Sequence, residues 1–169
     1  NCGKVILNWD WKSEKLWAKK LEEPFGSSNP TLTLLLNHSL QISLNSSDGG
    51  KKILVTGAAG FIGFHLANYL LKMDYSIIGI DSLNDYYDTN LKKNRLSQLL
   101  SHNNFKFYQL HLEDRTKLME LFSDERPQIV INLAAQAGVR YSIDHPQSYI
   151  ASNLVGFANI LEACRHFPV

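Results

Sequence analysis

At 169 residues, 44% of them hydrophobic and 11% aromatic, the chain is in the range of one soluble globular domain with enough apolar side chains for a real core. A formal net charge of +1, with neither a basic stripe nor an acidic tail, argues against a nucleic-acid binder and against a basic partner. Cys2 and Cys164 are far apart and have no second cysteine at metal-ligand spacing, so neither a disulfide framework nor a zinc site is indicated, and a reducing, cytoplasmic setting is expected.

Residues 1–50 show no sustained period. They hold Trp9, Trp11 and Trp17, a lysine-rich patch and a Ser/Asn/Leu stretch, and they end in the turn cluster "NSSDGG". No fold is assignable to this extension, which lacks an initiating Met and suggests an appended, misassembled or truncated stretch. It is either a disordered or loosely packed tail or an interaction arm built around the tryptophans. Its longest apolar run, Leu32 to Leu44, is broken by Asn37, His38, Ser39, Gln41 and Ser43 and falls short of a membrane span. No basic segment precedes that run, so no signal peptide is expected.

From residue 51 to 169 the pattern changes to alternating strands and helices. "KILVT" (52–56), "SIIGID" (76–81), "FKFYQL" (105–110) and "QIVINLA" (128–134) are short apolar runs with strand character. Ile62, Leu66, Ala67, Leu70 and Leu71 make a helical stripe after the first run. Leu91, Leu96, Leu99 and Leu100 make a second, and Leu118, Leu121 and Phe122 a third. A fourth helix opens near Pro146 with Ile150, Leu154, Phe157, Ala158 and Leu161. Parallel neighbours need crossovers and crossovers are right-handed, so the order predicts an α/β fold, a doubly wound parallel sheet with helices on both faces.

"VTGAAGFIGFH" (55–65) joins the first strand to the first helix with glycines at every third position. In that place Gly57 permits a tight turn, Gly60 lets a diphosphate approach the backbone, and Gly63 lets helix and strand pack closely. Phe61 and Ile62 would offer N–H groups to the anion at the positive end of the helix. The spacing is G-x-x-G-x-x-G, and a ligand-free glycine turn would read the same way. Asp81 weighs against that alternative: it ends the second strand about twenty residues on, where a carboxylate accepts bonds from the ribose hydroxyls of an adenosine. A carboxylate there repels a 2′-phosphate and no arginine follows closely to hold one, so NAD is favoured over NADP.

"TGAAGFIG" with Asp81, followed by "DSLNDYYD" (81–88), "LEDR" (112–115), "INLAAQAGVRYSIDHP" (131–146) and "SNLVGFANILEACRH" (152–166), resembles the N-terminal half of the extended short-chain dehydrogenase/reductases. Within them it is most similar to the NAD-dependent nucleotide-sugar epimerases of the UDP-glucuronate 4-epimerase type. The resemblance covers residues 51–169 and implies an incomplete Rossmann-type domain. It makes Gly57, Gly60, Phe61, Ile62 and Gly63 the diphosphate loop and Asp81 the ribose ligand. Leu133, Ala134, Ala135 and Gln136 would line the nicotinamide side.

The resemblance also implies a sugar oxidised transiently at C4 to a 4-keto intermediate and reduced on its other face, a UDP-sugar partner, and a homodimer through the third and fourth helices. Asn153 resembles a helix asparagine that supports the active site from behind, or is a plain packing residue. Arg140 is either a substrate contact or a solvated loop arginine. Two positions depart from the family pattern. His111 stands where an aspartate usually receives the adenine amino group, and Ser82 replaces the usual asparagine beside the ribose acid. An imidazole can accept the first bond and a hydroxyl can donate the second.

The family's Tyr-x-x-x-Lys pair is absent from the sequence, so no catalytic residue is assigned and the chain alone is expected to be inactive. A non-catalytic NAD-binding module, or a related dehydratase or decarboxylase, is the alternative. Without further strands, the strand ending at Leu133 is expected to be an open sheet edge that leaves the chain unstable or sticky. The six histidines have no metal-ligand spacing, and no metal site is assigned.

Overall fold

The computed structural model describes residues 5–7, 50–86 and 88–169. Trp9, Trp11 and Trp17, and with them the choice between tail and interaction arm, lie outside the described residues. So do Cys2, the Leu32–Leu44 run and Tyr87.

The elements in chain order are β1 (Val5–Leu7), β2 (Lys52–Thr56), α1 (Phe61–Lys72), β3 (Ser76–Asp81), α2 (Thr89–Leu99), β4 (Phe105–Gln109), α3 (Arg115–Glu125), β5 (Ile129–Asn132), α4 (Val139–Asp144), α5 (Pro146–Tyr149), a π-helical turn (Ile150–Val155) and α6 (Gly156–His166). The sheet order is β1-β5-β2-β3-β4, and every pairing is parallel. Alternation along the strands sends Leu54, Ile78, Ile80 and Val130 to one face, where they pack with Leu118, Phe122, Ile160 and Ala163 of α3 and α6. Ile53, Val55, Ile77 and Ile131 point to the other face, the side of α1. The doubly wound α/β sheet expected from the sequence is therefore the fold.

Local chemistry sets the helix starts. The Asp88 carboxylate accepts the Asn90 N–H at 2.8 Å ahead of α2, and Asp114 accepts that of Lys117 at 3.2 Å ahead of α3. α1 is different, because its N-cap is Gly60 and no side chain caps it.

Two expectations are corrected. The edge of β5 is not bare: Val5–Leu7 pairs along it, with Val5 opposite Val130 and Leu7 opposite Asn132. A three-residue apolar stretch supplies the missing ladder partner, too short to stand out as a period. The fourth helical stripe also faces the wrong way. Ile150, Leu154 and Leu161 are exposed, whereas Gly156, Asn159, Ile160 and Ala163 are buried. Within α6 itself Ala158 and Leu161 of that stripe are already exposed, so the apolar row is the water-facing side of the helix and the smaller residues Gly156 and Ala163, with Asn159 and Ile160, make the buried one.

At the base of the sheet the buried Glu125 carboxylate accepts from Tyr108 Oη at 2.6 Å, Lys106 Nζ at 2.8 Å and Lys52 Nζ at 3.2 Å. These bonds join α3 to β2 and β4. Burial works to raise the Glu125 pKa, but the three donors outweigh it and draw the carboxyl down to about 2. The same bond to Glu125, with burial behind it, pushes the Tyr108 phenol up to about 12.

Candidate functional site: the glycine corner at the switch point

The chain runs from β2 outward to β3 and β4, then returns through α3 to place β5 on the opposite side of β2. Between β2 and β5 the winding reverses, and open α/β sheets bind ligands beyond the strand ends at such a point. The glycine corner follows β2 directly at this position.

The three expected glycines are together, each for a different reason. Gly57 has φ +68°, and a Cβ there would meet the Ala134 nitrogen at 3.0 Å, so the turn and the close passage of the β5 loop both require it. A Cβ at Gly63 would overlap the Gly57 carbonyl oxygen, which fixes α1 tight against the corner. Gly60 is less confined: its Cβ would meet only that same oxygen, at 3.0 Å. The first N–H groups of α1, those of Phe61 and Ile62 among them, have no intrahelical partner and no capping side chain. This bare, positively polarised corner fits an anionic diphosphate.

Asp81 is 7% exposed and reaches the corner itself. Its Oδ2 accepts the Ala59 N–H at 3.1 Å, and its Oδ1 accepts the Leu83 N–H at 2.8 Å. Acid and corner are therefore one structure, as the sequence order requires. Ser82 follows, its carbonyl accepting from Gln109 Nε2 at 3.3 Å. His111 lies past the end of β4, exposed, with Nδ1 at 3.4 Å from Glu113 Oε1.

On the other side of β2, Leu133 and Ala134 leave β5 beside Gly57, held by bonds from their N–H groups to Thr56 Oγ1, each at 3.0 Å. Gln136 is buried and Ala135 exposed. Asn153, within the π-helical turn, reads both backbone groups of Gln136: its Oδ1 accepts the N–H at 2.8 Å and its Nδ2 donates to the C=O at 3.0 Å. Arg140 is exposed on α4.

Several residues the sequence reading passed over complete the site. Thr56 is wholly buried and ties the ends of β2 and β5. Lys92 is buried on the α2 face that carries Leu96 and Leu99, and its Nζ is 3.6 Å from Asp81 Oδ1. A lysine at the first place of a 92, 96, 99 apolar stripe is the signal that could have found it. Tyr86 and Tyr141 pack with centroids 4.7 Å apart and ring planes tilted by 57°, joining the loop after β3 to α4. The Tyr149 hydroxyl donates to the Gly138 carbonyl, and burial raises the Tyr149 pKa, with Tyr86 and Tyr141 adding to it. Gly138 has φ +103° and no room for a Cβ under the Tyr86 hydroxyl. Beside the corner, the Arg95 guanidinium lies 5.5 Å over the Phe61 ring. Burial, helped by Arg95, lowers the pKa of neighbouring His65. Among the described residues no cluster of His, Cys, Asp and Glu is able to hold a metal ion, and no helix is long and apolar enough to cross a membrane.

A glycine corner at the switch point of a parallel sheet, joined to a buried acid at the end of the next strand, defines the class: a Rossmann-type domain. The family described as GDP-mannose 4,6 dehydratase matches residues 54–169, and the chain belongs to that family. It is 55% identical over 118 residues to Protein CapI of Staphylococcus aureus, covering 70% of this chain and 35% of that protein. It is 45% identical over 116 residues to a UDP-glucuronate 4-epimerase of Thermodesulfobacterium geofontis, covering 69% and 36%. A solved UDP-glucuronic acid 4-epimerase of Bacillus cereus, in complex with UDP-glucuronic acid and NAD, superposes with a TM-score of 0.62 at 39% identity, covering 68% of this chain and 36% of that one. The chain spans about a third of the length of the curated relatives it matches.

Proposed function

We propose that this chain is the dinucleotide-binding part of an NAD-dependent epimerase that inverts C4 of a UDP-sugar, with UDP-glucuronate as the substrate. The observation that carries the reading is the bond from the Ala59 N–H to Asp81 Oδ2 at 3.1 Å, which ties the acid at the end of β3 to the glycine corner at the switch point. Identity to enzymes named UDP-glucuronate 4-epimerases supports the reaction and the sugar.

NAD, when bound, supplies the acceptor that takes hydride from the sugar C4 and gives it back to the other face. The residues of this chain bind and orient. Phe61 and Ile62 N–H groups, with Gly57, Gly60 and Gly63, take the diphosphate. Asp81 takes the ribose hydroxyls, with Ser82 and His111 toward the adenosine end. Leu133 to Gln136 line the nicotinamide side, and Asn153 fixes that loop by holding both backbone groups of Gln136. Arg140, exposed on α4, is assigned to the entering nucleotide sugar, because a guanidinium suits phosphate or carboxylate oxygens. Proton transfer at the sugar oxygen needs a base that these residues do not supply, so the chain alone leaves UDP-glucuronate unchanged. The outward Ile150, Leu154 and Leu161 support a homodimer through this helical face.

Titration with NAD by calorimetry tests the reading, beside an Asp81→Ala variant. Loss of the acid is expected to weaken binding by roughly tenfold or more, the worth of a charge-assisted hydrogen bond. Equal affinity of the two forms, or epimerisation of UDP-glucuronate by this chain alone, overturns it.

A further inference from the structure

The carboxylate of Asp81 accepts two backbone N–H groups and faces one buried cation. Ala59 N–H meets Oδ2 at 3.1 Å, Leu83 N–H meets Oδ1 at 2.8 Å, and the Lys92 ammonium stands 3.6 Å from Oδ1. Lys92 is only 8% exposed, a position in which a lysine without an anion is costly. Its hydrogen bonds go to Asn84, to the side-chain oxygen at 2.7 Å and the carbonyl at 3.2 Å. Those bonds hold the turn after β3, in which Leu83 has the left-handed φ of +52°. Two aimed backbone N–H groups and a buried cation are the donor set that proteins use for a phosphate. Here the anion is the chain's own.

We propose that Ala59, Leu83 and Lys92 form a latent phosphate cradle at the adenosine ribose, occupied internally by Asp81, and that Lys92 is thereby a specificity-determining residue. With the carboxylate in place, the cradle is satisfied and a ribose 2′-phosphate meets a second anion. With the carboxylate removed, the same donors accept the 2′-phosphate of NADP. Lys92 has two consequences: it keeps the acid oriented for the ribose hydroxyls, and it supplies the charge that the acid conceals. The inference rests on the dinucleotide reading of the corner, which by itself assigns nothing to Lys92.

The test is binding of NAD and of NADP, by calorimetry and by thermal shift, to the unaltered chain and to Asp81→Gly, Asp81→Ser, Lys92→Met and the Asp81→Gly/Lys92→Met double variant. The unaltered chain is expected to prefer NAD. Asp81→Gly and Asp81→Ser are expected to shift the NADP-to-NAD affinity ratio toward NADP by roughly a hundredfold, two charge-assisted bonds gained against a repulsion lost. The double variant is expected to lose that shift, and Lys92→Met alone to weaken NAD by about tenfold. A shift that persists without Lys92, or no gain of NADP affinity and no NADP-dependent rise in melting temperature in either acid-less variant, overturns the cradle. Failure of the unaltered chain to bind NAD overturns the dinucleotide reading instead. The cradle is then decided by whether Asp81→Gly binds adenosine 2′-phosphate more tightly than adenosine 5′-phosphate.

Discussion

The Thr56 hydroxyl donates to Asn132 Oδ1 at 2.6 Å and so joins the last residues of the two strands that flank the winding reversal. The same oxygen accepts the N–H groups of Leu133 and Ala134, each at 3.0 Å. One side chain therefore sets the path of the β5 loop past Gly57. Thr56→Val keeps the shape and removes the hydroxyl, which leaves Asn132, Leu133 and Ala134 short of a partner. Stability is expected to fall by about 2–3 kcal/mol, the cost of unsatisfied polar groups, whereas Thr56→Ser keeps the bonds and loses about 1 kcal/mol or less through the missing methyl. Urea denaturation of the two variants checks the order, and a Val variant as stable as the Ser variant contradicts it.

The corner separates a folding glycine from a binding glycine. In Gly63→Ala the new Cβ falls on the Gly57 carbonyl oxygen, a backbone atom that cannot give way while α1 stays packed. A loss of about 4 kcal/mol or more is expected, at the extreme of single substitutions. Gly60→Ala meets only one atom at 3.0 Å and sits at φ −70°, which alanine adopts freely. Its stability is expected to change by less than about 1 kcal/mol, while NAD affinity drops because the methyl stands where the diphosphate meets the backbone. Melting temperature and NAD titration on both variants separate the two effects. A Gly60→Ala chain that binds NAD normally would remove the diphosphate from this corner.

The sheet base gives a pH test with a defined sign. Glu125 has a folded pKa of about 2, below its ordinary value of 4.5, because Lys106, Tyr108 and Lys52 donate to it and outweigh burial. A depressed carboxyl binds fewer protons folded than unfolded. The stability it gives is present above pH 4.5 and is lost progressively as pH falls toward 2. Urea midpoints measured across that window are expected to fall steeply for the unaltered chain. Glu125→Gln is expected to be less stable at pH 7 and to show a flatter acid limb. Parallel acid limbs would mean that other carboxylates govern the fall.

The strands were legible because each is a short, almost wholly apolar run closed by a turn, and a buried parallel strand needs little else. The glycine corner and its contact with Asp81 were legible because both are marked by spacing along the chain. Thr56, Lys92 and Asn153 were harder, since their partners are 8 to 78 residues away and only the folded sheet brings them together. Lys92 in particular stands among leucines as if it were a surface residue at a helix edge. Val5–Leu7 is three residues long, and its strand state comes from β5, with no pattern of its own. For the last helix the period itself misled: Ile150, Leu154 and Leu161 form an apolar row, but the π-helical turn and α6 give it to the surface.

That outward row carries the remaining expectation. Leu154 is 64% exposed, Ile150 44% and Leu161 41%, on a helical stretch whose opposite side already holds Ile160 and Ala163 in the core. Apolar side chains grouped this way on a water-facing helix favour a second apolar surface, and a copy of the same helix is self-complementary under a twofold axis. Leu154→Arg puts a charge at the centre of the row without touching the sheet or the glycine corner. It is expected to convert a dimer into a monomer in sedimentation while leaving the melting temperature of the separated chain within about 2 °C, as for a surface change. A chain that is monomeric before the substitution, or one that stays dimeric after it, would assign the row to a different partner.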